Sequence, residues 1–296
     1  MNAPFHPGEL RAQALAGVTG AGGAIRPFMP DQHRIFFAQL PFLLLATTDA
    51  DGSPRAGVLS GPAGFVSSPD PATLRIALPH PGHPPAPAPT RAPAHASRPA
   101  PGSPVGLLGI DLATRRRNRA NGLVSSSADG AMTIAVQESF GNCPQHIRRR
   151  QVRTAEAGAH PPVHFEGLDP RAREIVAHAD TFFIATSGGA FGIDISHRGG
   201  PPGLAAIDGA TLTVPDFGGN RYFNTLGNLL LDPRAALLFI DFDRGDVLEL
   251  RGHVEILWDI KPGAVGQAEG RRWRFHGRTG TLAAGALPLR WDALPD

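Results

Sequence analysis

The chain has little of several residues that would otherwise narrow its chemistry. It holds one cysteine, Cys143, so it can form no internal disulfide and no cysteine-based metal site. That scarcity suits a reducing cytoplasm, and cytoplasmic location is the expectation. Lysine is nearly absent, with Lys261 the only one, so the positive charge comes from arginine. The formal net charge is only +2, which favours neither a polybasic membrane tail nor a nucleic-acid arm. No basic-then-apolar leader opens the sequence, and no apolar run approaches the roughly 18 residues that span a bilayer. No membrane and no nucleic-acid partner are therefore expected.

What is abundant is turn chemistry: 36 glycines and 30 prolines in 296 residues, with 42% apolar content. This indicates a buried core crossed by many turns and few long helices. The segment 211–242 (TLTVPDFGGNRYFNTLGNLLLDPRAALLFIDF) reads as strand, Gly-Gly turn, short helix, turn at Asp232-Pro233 and second strand. Its turn and helix start carry Asn220, Arg221, Asn224 and Thr225. A helix N-terminus offers free N–H groups and partial positive charge, so one arginine with three neutral donors suits a phosphate. The plainer reading makes Asn220 a helix cap and Arg221 a solvated side chain.

An internal repeat shifts that balance. Residues 109–122 (GIDLATRRRNRANG) align with 214–227 (VPDFGGNRYFNTLG), placing Asp111 on Asp216, Arg116 on Arg221 and Gly122 on Gly227. Residues 42–66 likewise match 182–205: an apolar strand ending in Ala-Thr, a glycine turn, a returning strand, then Gly-Pro. Helices expected at 31–40 and 170–179 precede these strands, with Asp31 capping the first and Ile35, Phe36 and Leu40 on its buried side. A shorter helix fits 8–16. Further strands are expected at 123–126, 132–136, 246–258, 271–275 and 286–291. The resulting fold is mainly β: two antiparallel, barrel-like units in tandem with a few short helices. Residues 1–30 form an arm, 31–153 the first unit and 154–296 the second.

A Pro/Ala-rich stretch, 79–104, interrupts the first unit and has no strand or helix period. Its histidines, His80, His83 and His95, match no metal-site spacing, and no metal is expected. Cys143 lies near a helix start but lacks a resolving partner or a base, which favours packing over redox chemistry.

The stretches GLLGIDLATRRRNRANG, SFGNCPQHI, DISHRGGPPG and PDFGGNRYFNTLGNLLLDPRAALLFIDF together resemble the pyridoxamine 5′-phosphate oxidase-like, FMN-binding split-barrel family, in its two-unit bacterial branch. The resemblance covers most of the chain outside the proline-rich insert and the termini. It implies tandem split β-barrels, an FMN cofactor and flavin-dependent oxidoreductase chemistry. It places the isoalloxazine along 194–198 near Ile195, Ser196 and His197, beside Val214, Pro215 and Asp216. Arg198, Arg221, Asn224 and Thr225 would contact the phosphate. Arginine's planar fork matches phosphate oxygens, and Asn and Thr add neutral donors. The scarcity of lysine and the C-terminal LPLRWDALPD depart from true pyridoxamine-phosphate oxidases, so the resemblance does not extend to that substrate.

His197 reads either as a backbone-bonded structural residue or as a flavin or phosphate neighbour. Asp216 orients Arg221 or His197, or simply starts the turn. The Arg115–Arg119 run is a second site or a degenerate copy supporting the first; the latter is preferred, because Val58–Ser60 offers no charged counterpart of His197-Arg198. No general acid or base stands out, so catalytic residues stay unassigned. The expected partners are a small-molecule substrate or an electron donor such as a nicotinamide nucleotide or a reductase, and a homodimer is compatible with the repeat. The alternatives are a non-catalytic flavin- or haem-binding module, or the structural partner of a reductase.

Overall fold

The computed structural model describes residues 4–18, 24–78, 99–128, 130–141, 143–158, 160–258 and 271–295. Helices α1 (Pro7–Leu15) and α2 (Asp31–Gln39) precede strands β1 (Phe42–Thr48), β2 (Pro54–Ser60), β3 (Val66–Asp70), β4 (Thr73–Ala77), β5 (Pro104–Asp111), β6 (Arg116–Ala128) and β7 (Ala131–Gly141). These seven strands make one sheet in the order β2-β1-β5-β6-β7-β4-β3. After β8 (Arg150–Thr154), β9 (Val163–Glu166) and α3 (Pro170–His178) comes a second set. It holds β10 (Thr181–Ser187), β11 (Ile193–Gly199), β12 (Ala206–Asp208), β13 (Thr211–Pro215), α4 (Asn224–Leu231), β14 (Arg234–Ile240), β15 (Val247–Leu257), β16 (Arg272–Ala283) and β17 (Leu289–Ala293). The second sheet runs β11-β10-β14-β15-β16-β13-β12, with β9 added on β16, while β17 pairs β8. Counted from β10, its order repeats that of the first sheet. Neither path closes on itself, so each sheet is a split barrel of antiparallel strands.

Both sheets carry a bulge at the same place, between Asn121 and Gly122 and between Arg251 and Gly252. A Cβ on Gly122 would lie 2.0 Å from the Ala135 carbonyl oxygen, and one on Gly252 2.1 Å from that of His276. Only glycine fits such an approach. Gly122 therefore corresponds to Gly252, and the alignment of Gly122 with Gly227 is overturned. The physical reason is that 109–122 forms no helix: it is the β5–β6 hairpin, whose counterpart is the β14–β15 hairpin. The connection that carries α4 in the second set corresponds to residues 78–103. Most of the proline-rich insert, with His80, His83 and His95, lies outside the described residues.

The continuous apolar runs follow from burial on both faces. In β1, Leu43 and Leu45 enter the first sheet's own core, while Phe42, Leu44 and Ala46 enter a core shared by the two sheets. In β10, Phe182 and Ile184 pack beside Trp273 and Phe239, and Phe183 and Ala185 face the shared core. The two sheets are thus fused through side chains contributed alternately by their central strands.

Helix α2 differs from expectation in its orientation. Ile35 is 60% exposed, whereas His33, Phe36 and Phe37 are buried. Asp31 makes no cap; it accepts from Arg34 one turn on, at 2.8 Å. Among the described residues no helix is long and apolar enough to cross a membrane.

Candidate functional site

Strand β11 ends its sheet and lies against β5 of the first set, so closely that a Cβ on Gly106 would sit 2.8 Å from the Ile193 carbonyl oxygen. Alternation divides its side chains. Ile193 and Ile195 enter the shared core, and His197 follows them against the Phe183 ring. Asp194 and Ser196 point the other way and are buried.

The first set reaches this strand through β6. Arg119 pairs with Asp194 and donates to Ser196 Oγ and to Asn224 Oδ1, the last at 3.1 Å. Ser196 donates to Asp194 at 3.0 Å and accepts from Thr225 at 2.7 Å. Arg117 donates to His197 Nδ1 at 2.8 Å. The period of two along β6 places 117, 119 and 121 on one face of the strand. Reading that run as a helix start hid this face.

The expected residues therefore fall into groups. Ser196, Asn224 and Thr225 meet in one network, and His197 lies beside it. Arg198 stands 3.9 Å from Asp216, but Asp216 is bound by Arg271 at 2.7 Å. Asp216 thus orients an arginine that the sequence reading passed over, and neither Arg221 nor His197 is its partner. Ile195 and Val214 send their side chains into different cores and offer a ligand only backbone. Pro215 ends β13, half-buried opposite Arg272. Arg221 is exposed on the turn before α4 at a φ of 62°. Asn220 does not cap α4. Its side chain accepts from the Tyr222 N–H at 3.1 Å, an Asx turn, and the N-cap residue is Phe223.

The electrostatics of this cluster are lopsided. Burial, then Arg119 and Arg198, push the Arg117 guanidinium down to about 10. Burial, followed by Arg117 and Arg198, holds His197 well below the usual histidine range. Burial also lowers Arg198, against the pull of Asp216. Among the described residues Arg117 meets no carboxylate, and the Nε atoms of Arg117 and Arg198 and Nε2 of His197 have no hydrogen-bond partner. Because Nδ1 of the neutral imidazole accepts from Arg117, its proton sits on Nε2, an unspent donor. A buried cation without a counter-charge is costly, and an anion would relieve it.

The opposite seam between the sheets differs. Two grooves of about 430 and 620 Å³ share Arg251 and Thr279 there. Three of the arginines lining them are matched by acids: Arg55 by Glu249 and Asp49, Arg251 by Asp49, Arg234 by Asp232.

No family model and no curated protein matches the chain. Among solved structures it is similar to a FAD-binding protein from Mesorhizobium loti, at 12% identity and a TM-score of 0.30, over 41% of this chain and 98% of that one. It is similar to HupZ of Group A Streptococcus at 15% and 0.30, over 39% and 99%. A Clostridium acetobutylicum protein of the pyridoxinephosphate oxidase family, related to general stress protein 26, gives 16% and 0.30, over 42% and 92%. Likenesses this slight carry no argument; the fold stands on its strand order and the site on its own geometry.

Proposed function

We propose that this chain is an FMN-binding protein of the pyridoxamine 5′-phosphate oxidase-like type, acting as a flavin-dependent oxidoreductase. In this reading the repeated units are 31–153 and 154–296, and one flavin site lies on the β6–β11 seam between them. The observation that carries it is Arg117: a largely buried guanidinium that meets no carboxylate among the described residues, beside an imidazole kept neutral and a second, weakly paired arginine, Arg198.

The fit to a phosphate is good in charge and incomplete in donors. Arg117, Arg198 and the Nε2–H of His197 would hold the anion, with Arg221 at the rim. Asn224 and Thr225 are engaged elsewhere in the fold and would exchange partners. When bound, the flavin supplies hydride or electron transfer, and the chain supplies position and electrostatics. Arg119 fixes Asp194 and Ser196 across the seam, so the β11 backbone that would face the ring is anchored to the other unit. A nicotinamide nucleotide or a reductase is the proposed electron donor, and the cytoplasm the proposed location.

The test is the visible spectrum of the purified protein before and after FMN addition and desalting. A retained two-band flavin spectrum is expected. Failure to retain flavin, or a sharp Soret band from haem, overturns the reading.

A further inference from the structure

Helix α1 rests on α4 through two glycines. A Cβ on Gly8 would lie 2.3 Å from the Gly227 carbonyl oxygen, and one on Gly227 would lie 2.6 Å from the Glu9 amide nitrogen. The two backbones therefore touch. Around this contact His6 Nε2 meets Asn228 Oδ1 at 3.0 Å, Gln13 donates to the Tyr222 carbonyl at 3.3 Å, and the Phe5 ring meets Tyr222 edge-on at 5.4 Å.

Glu9 is buried at the centre. One carboxylate oxygen accepts from the His6 N–H at 2.9 Å, and the other accepts from the Asn224 side chain. The donor expected to serve a phosphate is thus occupied by an acidic side chain of the same molecule. Apolar burial adds little to these contacts. Its buried residues are Gly8, Glu9, Ala12 and Gln13, of which only Ala12 has an apolar side chain, while Leu10 and Leu15 are exposed. An element that buries so little apolar surface is drawn from the low-stability end of a fold.

We propose that α1 is a displaceable strap over the α4 side of the cationic cleft, fastened by Glu9 on Asn224 and opened when an anionic ligand takes that donor. The proposal rests on reading the cleft as a phosphate site.

Closure is linked to protons. Burial raises the Glu9 carboxyl to about 7, with Glu138 and Asp194 adding repulsion and the His6 N–H and Asn224 opposing it. The ionisable groups around it are His6 at its own helix cap, Asp194 on β11, Glu138 on β7 and, through Asn224, Arg119 on β6; α4 contributes only the amides of Asn224 and Asn228. Burial also lowers His6, which favours its neutral form. In an open strap Glu9 returns to the ordinary 4.5. The closed form therefore holds the proton more tightly. Its stabilisation is complete below about 4.5, declines as pH rises, and is gone above about 7.

The test is hydrogen exchange of the α1 amides in the full chain, alone, with FMN and with inorganic phosphate, alongside FMN titration. Corrected for intrinsic rates, the ratio of wild-type to Glu9→Gln exchange should rise by about tenfold or more between about pH 5 and about pH 7.5, because the lowered His6, whose contribution runs the other way, is common to both proteins. Gly227→Ala, whose methyl meets the Glu9 backbone, should exchange fast at every pH. It should also bind FMN about tenfold more tightly if the closed form is about nine-tenths populated. FMN or phosphate should speed α1 exchange in the wild type. A ratio of wild-type to Glu9→Gln exchange that stays flat with pH overturns the strap. So does FMN binding that leaves α1 exchange unchanged and is no tighter in Gly227→Ala. If none of the three proteins binds FMN, the flavin reading falls, and the pH course still decides the strap.

Discussion

Arg119 and Glu249 stand at the same position of the two sheets and carry opposite charges. Arg119 lies opposite Leu108 and Glu249 opposite Leu238, and these leucines pair with Leu44 and Phe183 of the equivalent central strands. Their partners are equivalent too: Arg119 binds Asp194 of β11, and Glu249 binds Arg55 of β2, with the acid and base exchanged. One step along, the correspondence turns apolar. The counterparts of Arg117 and His197 are Val247 and Val58, both in the shared core. The repeat therefore keeps two seams between its halves, and at the β6–β11 seam Arg117 meets no carboxylate among the described residues.

Arg119→Ala should destabilise the fold by about 3–5 kcal/mol, because Asp194 is left buried and uncompensated. The urea midpoint measures this. Adding Asp194→Asn should restore part of the loss, since the stranded charge is then removed.

Arg117→Met should behave in the opposite way. It deletes a largely buried cation that meets no acid among the described residues, so the urea midpoint should hold or rise. FMN affinity should fall by about 1.5–3 kcal/mol, the worth of a charged hydrogen bond. Arg221→Ala, at an exposed position, should cost FMN no more than about 1 kcal/mol. Fluorescence titration compares the two, and an equal loss would move the anion site outward to the α4 turn.

Gly122→Ala and Gly252→Ala should each destabilise by about 2–3 kcal/mol, because the new methyl meets a carbonyl of the neighbouring strand at both bulges. Thermal melts would show it. An unaffected melt in either variant would mean that the bulge there relaxes without cost.

His197 gives a pH signature. The folded state keeps the ring neutral well below its ordinary 6.5, while the unfolded chain protonates near that value. Its contribution is complete above about 6.5 and is lost as pH falls below it. The stability of wild type relative to His197→Gln should therefore decline from about pH 7 to about pH 5. Paired urea titrations isolate this from Glu9, whose contribution runs the other way.

Much of this protein was legible from local chemistry. The apolar runs of β1 and β10, the Pro-headed α3 and the strand–turn–helix–strand of 211–242 follow from patterning and turn residues, which act over a few positions and need no distant partner. The kinship of the halves was also legible, because their opening helices and hairpins share a pattern. The site was not. Arg117 and Arg119 sit in a run with little strand propensity, and their place on β6 is set by pairing with Leu108 and Ile110 across a hairpin. Arg119 meets Asp194 75 residues away, and Glu9 meets Asn224 215 residues away. Sequence alone determined the opening helix and hairpin of each half and that the halves repeat, because hydrophobic period and turn chemistry are local. Only the tertiary structure decided which charges face one another, because sheet register and the packing of two sheets set those pairings across the whole chain.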